Sequence, residues 1–151
     1  MDIVIGIGNA LRGDDGIGQY VVDAIPTQPN LVTMTVHQLM PELAETIHQS
    51  RRVLFVDASL SHDGLCLERL EPLDHRGLGH TCSPAALLGW MKLAFGQEPE
   101  AWLLSIPATS FEFGEAPSPS AMQYISKALE CIESWLSDCP DLVLMRSEEE
   151  A

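Results

Sequence analysis

Basic residues are scarce in this 151-residue chain. Only 8 lysines and arginines stand against 22 aspartates and glutamates, which gives a formal net charge of −14. Proteins bind nucleic acids by replacing phosphate counterions with Lys and Arg side chains, and anionic membrane surfaces attract basic segments for the same electrostatic reason. We therefore expect neither nucleic acid nor a membrane as a partner. A metal ion or a cationic protein surface suits this charge better.

Cysteines and long apolar runs are also few. The four cysteines, at positions 66, 82, 131 and 139, contain no C-x-x-C pair. They are too few for a disulfide scaffold at this length, and we expect them to be reduced and structural. No uninterrupted apolar run reaches the length of about 18 residues that a membrane-spanning helix needs. Because the start of the chain also lacks the basic region of a signal peptide, a cytoplasmic protein is expected.

A short apolar strand opens the chain and leads into a glycine-rich turn, GIGNALRGDDGIG, at residues 6–18. A dinucleotide-binding turn needs a third glycine where Leu11 stands, and a P-loop needs a Gly-Lys-Ser/Thr sequence that this chain lacks. Asp14 and Asp15 would also repel a phosphate from the start of the following helix. The turn therefore presents carboxylates, although either acid could instead cap that helix.

Apolar periodicity predicts strands that alternate with helices along the chain. The predicted strands cover residues 3–5, 31–36, 53–56, 65–70 and 102–106. The predicted helices cover residues 17–25, 42–49, 84–95 and 122–136. This order is typical of a single three-layer α/β domain, with a mainly parallel twisted sheet of four to five strands and helices on both faces. We assign residues 1–140 to this domain and residues 141–151 to an acidic C-terminal tail.

Three ionisable residues fall where the carboxyl ends of the predicted strands meet, which is where such sheets bind ligands. Asp15 begins the first helix, Asp57 follows the apolar run 53–56, and His80 precedes the helix that Ser83 begins. Two carboxylates and one imidazole suit a borderline divalent ion such as nickel, zinc or iron, with coordination positions left open. Each residue also has a plainer interpretation, Asp57 as a cap of its loop and His80 as an exposed histidine.

Residues 6–9 and 12–18 resemble the opening motif of the hydrogenase maturation endopeptidases, which process the large subunit of [NiFe]-hydrogenases. Further matches keep the family's order, namely Val56-Asp57-Ala58, His80, Ser83-Pro84, Leu87-Leu88, Ile106-Pro107, Gly114 and Ser118. The resemblance implies a twisted α/β sheet and an aspartic-type, nickel-dependent endopeptidase. Such an enzyme removes a C-terminal extension from the precursor once nickel is inserted.

The resemblance also assigns residues and partners. Asp15, Asp57 and His80 match the positions that contact nickel in the family, and Asp15 and Asp57 would be catalytic. The nickel is carried by the precursor, which is the expected partner of a monomeric enzyme in a transient complex. The sequence departs from the family after the second strand, where many members carry Asp-Gly-Gly-Thr and this chain reads HQLMPEL from His37. That variant resembles the subgroup that serves bidirectional, NAD(P)-linked hydrogenases.

Two other functions remain open from the sequence. A non-catalytic chaperone module would bind nickel or the precursor without shortening it. A small metal-dependent phosphohydrolase would use Asp15 and Asp57 to hold magnesium, but the chain has no evident Lys/Arg cluster for a phosphate. No Ser-His-Asp, Cys-His or H-E-x-x-H arrangement is apparent, so an ordinary nucleophilic or zincin mechanism is unsupported.

Overall fold

A five-stranded sheet forms the centre of the computed structural model, which describes residues 1–9, 13–60, 63–74, 82–108 and 118–137. The strands are β1 (Asp2–Ile7), β2 (Leu31–Val36), β3 (Arg52–Ser59), β4 (Cys66–Leu70) and β5 (Glu100–Pro107). Their order in the sheet is β2-β1-β3-β5-β4, and β4 alone is antiparallel to its neighbour. The predicted α/β fold class is therefore confirmed.

Helices cover both faces of this sheet. They are α1 (Ile17–Asp23), α2 (Leu43–Ile47), α3 (Pro84–Phe95), α4 (Pro119–Met122) and α5 (Tyr124–Leu136), with a 3-10 turn at Gly13–Gly16. Even-numbered residues of β1, β3 and β5, such as Val4, Leu54 and Leu104, pack against α1 and α5. Odd-numbered residues of the same strands, such as Ile5 and Phe55, pack against α2 and α3. The period of two along each strand thus builds two cores, one on each side of the sheet.

The ends of α3 follow the signals in its sequence. The Ser83 hydroxyl accepts a hydrogen bond from the Ala86 N–H at 3.1 Å, and Pro84 occupies the first turn. Gly96 ends the helix in the left-handed conformation, with φ of 73°, and its N–H donates to the Lys92 carbonyl. A serine cap and a C-terminal glycine satisfy backbone groups that a helix end leaves unpaired.

The last predicted helix is in fact two helices. The helix is interrupted at Gln123 between α4 and α5, and Met122, the first residue of the predicted helix, is 42% exposed. Alanines occupy several of the buried positions instead, since Ala121 and Ala128 are covered together with Ile132. Small side chains let the helix approach the sheet closely, and a periodicity that weights large apolar residues misses them. Residues 138–151, which include the assigned tail, lie outside the described residues.

A charged cluster closes the amino edge of the sheet. The Asp2 carboxylate accepts hydrogen bonds from Arg51 at 3.0 and 3.1 Å and from Arg52 at 2.8 Å. Arg52 also donates to the Trp135 carbonyl at 2.8 Å, and its guanidinium lies 4.1 Å from the centre of the Trp135 ring. Burial raises the pKa of Asp2, but the two arginines outweigh it and hold that pKa below its usual value. The cluster ties α5 to β1 and β3.

Candidate active site

The crevice between the carboxyl ends of β1 and β3 is the place where this sheet topology positions a ligand. From β1 the chain crosses over to β2 on one side, whereas β3 lies on the other side of β1. Open α/β sheets bind ligands at such a switch point, outside the carboxyl ends of the strands. Gly6 is the last residue of β1 that pairs with β3, opposite Val56. The loop that follows Ile7 and the last residues of β3, from Asp57 onward, therefore border one crevice.

Two glycines allow α1 to pack closely against β1 and β3 at this crevice. A Cβ atom on Gly18 would lie 2.5 Å from the Val56 carbonyl oxygen and 2.8 Å from the Ile7 carbonyl oxygen. A Cβ atom on Gly6 would lie 2.6 Å from the Gly18 carbonyl oxygen. The first turn of α1 thus touches the ends of both strands, and only glycine permits that approach. These glycines of the opening motif serve close packing.

The acidic pair of the motif lies in the 3-10 turn that precedes α1. Gly13 begins this turn with φ of 57°, a conformation that favours glycine. The backbone of Asp14 and Asp15 follows, and Gly16 occupies the N-cap position of α1. Neither acid therefore stands at the N-cap position, which weakens the capping interpretation. The turn contacts β3, so the backbone of Asp15 lies at the crevice, while the side chains of both acids lie outside the described atoms.

Asp57 lies on the opposite wall of the crevice. The sequence placed it after its strand, but β3 continues to Ser59 because its pairing with β5 extends beyond that with β1. Asp57 is the first residue of β3 beyond the pairing with β1, and its side chain is partly exposed. Its Oδ1 accepts a hydrogen bond from the Ala58 N–H at 2.9 Å. Strand alternation puts Asp57 on the face of Phe55, the face that α2 and α3 cover.

The N-terminus of α3 approaches the same edge of the sheet. Residues 96–99 connect α3 directly to β5, which begins at the amino edge. A 12-residue helix spans about 18 Å, roughly the length of the strands, so α3 begins near the carboxyl edge. His80, predicted as the third ligand, lies four positions before Pro84 in the sequence and outside the described residues. Its position therefore stays a prediction.

Two polar residues near this edge were missed by sequence reasoning. The Gln19 side-chain amide donates to the Gly8 carbonyl at 2.6 Å and approaches the Val36 carbonyl at 3.4 Å, so it links the ends of β1 and β2. Burial, and to a smaller extent the negative charge of Glu42, raises the pKa of the Cys82 thiol. A protonated thiol is a weak nucleophile and a weak metal ligand. Nothing in the sequence indicated that Glu42 and Cys82 come close together.

The described residues do not by themselves contain a complete metal site. Among them, no group of three or more His, Cys, Asp or Glu side chains is placed to hold an ion. The predicted set of Asp15, Asp57 and His80 falls only partly within that described portion of the chain. Cys82 forms no disulfide within those residues. In the same portion, no helix has the length and apolar character needed to cross a membrane.

Taken together, these features define an α/β domain with helices on both faces of a mainly parallel sheet and with Asp57 near the switch point of that sheet. Several solved structures share this fold. The hydrogenase maturating endopeptidase HybD from E. coli has the same fold, with a TM-score of 0.75 and 20% sequence identity over 92% of this chain and 93% of that chain. The expected likeness to this family is therefore confirmed at the level of the fold.

Two further solved structures agree. The [NiFe] hydrogenase maturation protease HycI from Thermococcus kodakarensis KOD1 matches with a TM-score of 0.67 and 21% identity, over 87% of this chain and 88% of that chain. An endopeptidase from Escherichia coli matches with a TM-score of 0.72 and 21% identity, over 93% of this chain and 94% of that chain. No protein-family model and no curated protein matches the chain.

Proposed function

We propose that this protein is a hydrogenase maturation endopeptidase. In this role it removes the C-terminal extension of a [NiFe]-hydrogenase large-subunit precursor after nickel insertion. One observation supports the proposal: the 3-10 turn that contains Asp15 contacts β3, the strand that carries Asp57. The solved structures that share this fold bear the names of hydrogenase maturation endopeptidases.

The substrate's own nickel is the centre of the proposed recognition. Asp15, Asp57 and His80 would contact the ion while precursor cysteines still hold it. Carboxylate and imidazole ligands suit a borderline ion such as nickel. A bound divalent ion polarises a carbonyl group or activates a water molecule, so it supplies the chemistry that hydrolysis of a peptide bond requires. The enzyme would distinguish nickel-loaded from nickel-free precursor because its side chains fill the coordination positions that the precursor leaves open.

The described surroundings of Asp57 fit this role. The Ala58 N–H at 2.9 Å stabilises the ionised carboxylate and fixes its orientation. The residue lies at the wall of the crevice with its side chain partly exposed, so an incoming ion can reach it. Cys82 contributes no competing thiolate, because its pKa is raised by burial and by Glu42. The arrangement favours carboxylate chemistry over a cysteine protease.

Processing of the natural precursor tests the proposal. Purified protein is mixed with nickel-loaded and nickel-free precursor from the same organism, and mass spectrometry follows the loss of the C-terminal peptide. We expect cleavage of the loaded sample alone. The variants Asp15→Asn and Asp57→Asn should lose processing while they keep the fold. Asp23→Asn is the matched control, because Asp23 is exposed at the far end of α1.

Other outcomes separate the alternative functions. Stable binding of loaded precursor without any shortening indicates the chaperone module. Release of phosphate from simple esters with magnesium indicates the phosphohydrolase. Equal cleavage of nickel-free precursor would refute recognition through the substrate's metal, and wild-type processing by Asp57→Asn would remove Asp57 from the site.

A further inference from the structure

The outer edge of β2 is six residues long and contains no charged residue. β2 lies at the end of the sheet and pairs with β1 alone among the described residues. Its sequence, LVTMTV, contains neither a charged residue nor a proline, and its six pairs with β1 run without a bulge. The edge strand β4 differs, because Glu68 and Arg69 stand among its five residues. Natural proteins protect strand edges with charges, prolines or bulges, and β2 has none of these.

The backbone groups that face outward from β2 follow from its pairing. The Asp2 N–H donates to the Asn30 carbonyl, and the Gly8 N–H donates to the Val36 carbonyl, both at 2.9 Å. The N–H and C=O groups of one strand residue point to the same side, and the sides alternate along the strand. Even-numbered residues of β2 therefore face β1. The outward N–H and C=O groups belong to Leu31, Thr33 and Thr35.

This edge ends beside the candidate active site. Val36, at its carboxyl end, is joined to Gly8 of the opening motif by a backbone hydrogen bond and lies next to the Gln19 amide. Strands in a sheet lie about 4.8 Å apart, so a strand added outside β2 would lie about 14 Å from β3 and Asp57. Four or five extended residues cover that distance, since each spans about 3.4 Å.

We propose that the outer edge of β2 binds the C-terminal extension of the precursor as an added antiparallel strand. This inference rests on the proposed function. The extension lies downstream of the cleaved bond, so it leaves the crevice at the carboxyl edge and runs toward the amino edge, antiparallel to β2. Added strands are a recurrent mode of peptide recognition, in which main-chain hydrogen bonds supply the affinity. The continuity of this edge with the crevice favours a substrate segment over other occupants.

A proline variant tests the outward-facing backbone groups of β2 without removing the hydrogen bonds between β2 and β1. Thr33→Pro removes an outward N–H and keeps every hydrogen bond to β1, and edge strands tolerate proline there. We expect its KM for nickel-loaded precursor to rise about fivefold to tenfold at unchanged kcat, the effect of one lost hydrogen bond. Thr27→Pro, in the exposed loop before β2, is the matched control and should leave KM unchanged. Thr35→Lys keeps the backbone and adds a charged side chain of the kind that protects natural strand edges, so it tests the edge even if the proline variant fails to fold.

Amide exchange provides a readout independent of catalysis. A synthetic peptide spanning the extension of the same precursor is added to the full-length protein and followed by NMR. We expect the Thr33 and Thr35 amides to exchange rapidly alone and slowly with saturating peptide. The Val32 and Met34 amides, which face β1, should stay protected in both states. Unchanged exchange at Thr33 and Thr35 at saturation would overturn the inference.

The outcomes distinguish the two proposals. If the wild type does not process precursor, the proposed function fails. If the wild type processes precursor and Thr33→Pro and Thr35→Lys match it in KM, the function stands and the edge inference fails. If the protein is a dimer that Thr35→Lys dissociates while processing is unaffected, β2 pairs with a second copy instead, and the inference is again wrong.

Discussion

Replacing Gly18 with alanine tests whether close packing is the reason for the glycine-rich opening. The added Cβ would lie 2.5 Å from the Val56 carbonyl oxygen, whereas ordinary contacts begin at 3.4 Å, so something must move by roughly 0.9 Å. Both nearest atoms are backbone oxygens of β1 and β3, which cannot rotate away as a side chain would. Overpacking of this kind costs up to about 3 kcal/mol. Alanine regains about 1 kcal/mol of helix propensity, which leaves a net destabilisation of about 2 kcal/mol.

Thermal and urea unfolding followed by circular dichroism measure this change. For a domain of this size we expect Tm to fall by about 4–8 °C. Gly64→Ala is the control, because a Cβ there meets nothing within 4 Å, and its stability should stay within about 0.5 kcal/mol of the wild type. On the proposed function, a shift of α1 by most of an ångström also displaces the Asp15 turn, and processing should fall by up to about 100-fold. A Gly18→Ala protein as stable as the control would refute the packing argument.

Two further predictions concern stability. Asp2→Asn should destabilise the protein near neutral pH, and the difference from the wild type should shrink as pH falls below the ordinary aspartate pKa of 3.8 and through the lower pKa that Asp2 has in the folded state. The reason is that Arg51 and Arg52 lower the pKa of Asp2. The contribution of Asp2 to the free energy of unfolding is therefore fully present above the unfolded-state pKa and is lost as pH falls through the folded-state pKa. Urea titrations across this pH range measure the difference, and a difference that persisted in acid would contradict the reasoning. Ser83→Ala should cost about 1 kcal/mol through loss of the α3 cap. Thermal unfolding compares it with Ser126→Ala at an exposed position of α5, which should be nearly neutral, and equal losses would show that the cap does not stabilise the protein.

Much of the fold could be predicted from the sequence because caps and turn residues act on the strands and helices next to them in the chain. The strand predicted at residues 31–36 matches β2 at both ends, since prolines and an Asn turn precede it. The ends of α3 follow from Ser83 and Gly96, which act within one helical turn. The direction of β4 was not predictable, because an alternating pattern does not tell an antiparallel strand from a parallel one. The extent of β3 depends on pairing with β5, a contact distant in sequence.

The candidate site was predictable only in part. The sequence put Asp57 at the carboxyl edge because a doubly buried strand precedes it, and the structure bears this out apart from the strand's end. The approach of Gly18 to two strands, the Gln19 link and the Glu42–Cys82 proximity join residues far apart in the chain, so no local pattern encodes them. The predicted grouping of Asp15 and His80 with Asp57 stays a prediction.

Rigid placement and incomplete ligation together explain how such a site would select a loaded substrate. Selectivity is a difference between two affinities, so an enzyme that bound nickel tightly alone would gain little from the ion in its substrate. Enzyme side chains that are already fixed in place lose little conformational freedom when they bind the nickel ion. Because they are few, they bind the ion well only when the precursor supplies its remaining ligands. The contacts of Gly18 with Ile7 and Val56 fix the start of α1, and the Ala58 N–H fixes the Asp57 carboxylate. On the proposed function, close backbone packing fixes the enzyme's ligands and an incomplete ligand set leaves room for those of the precursor, so both features make cleavage depend on nickel insertion.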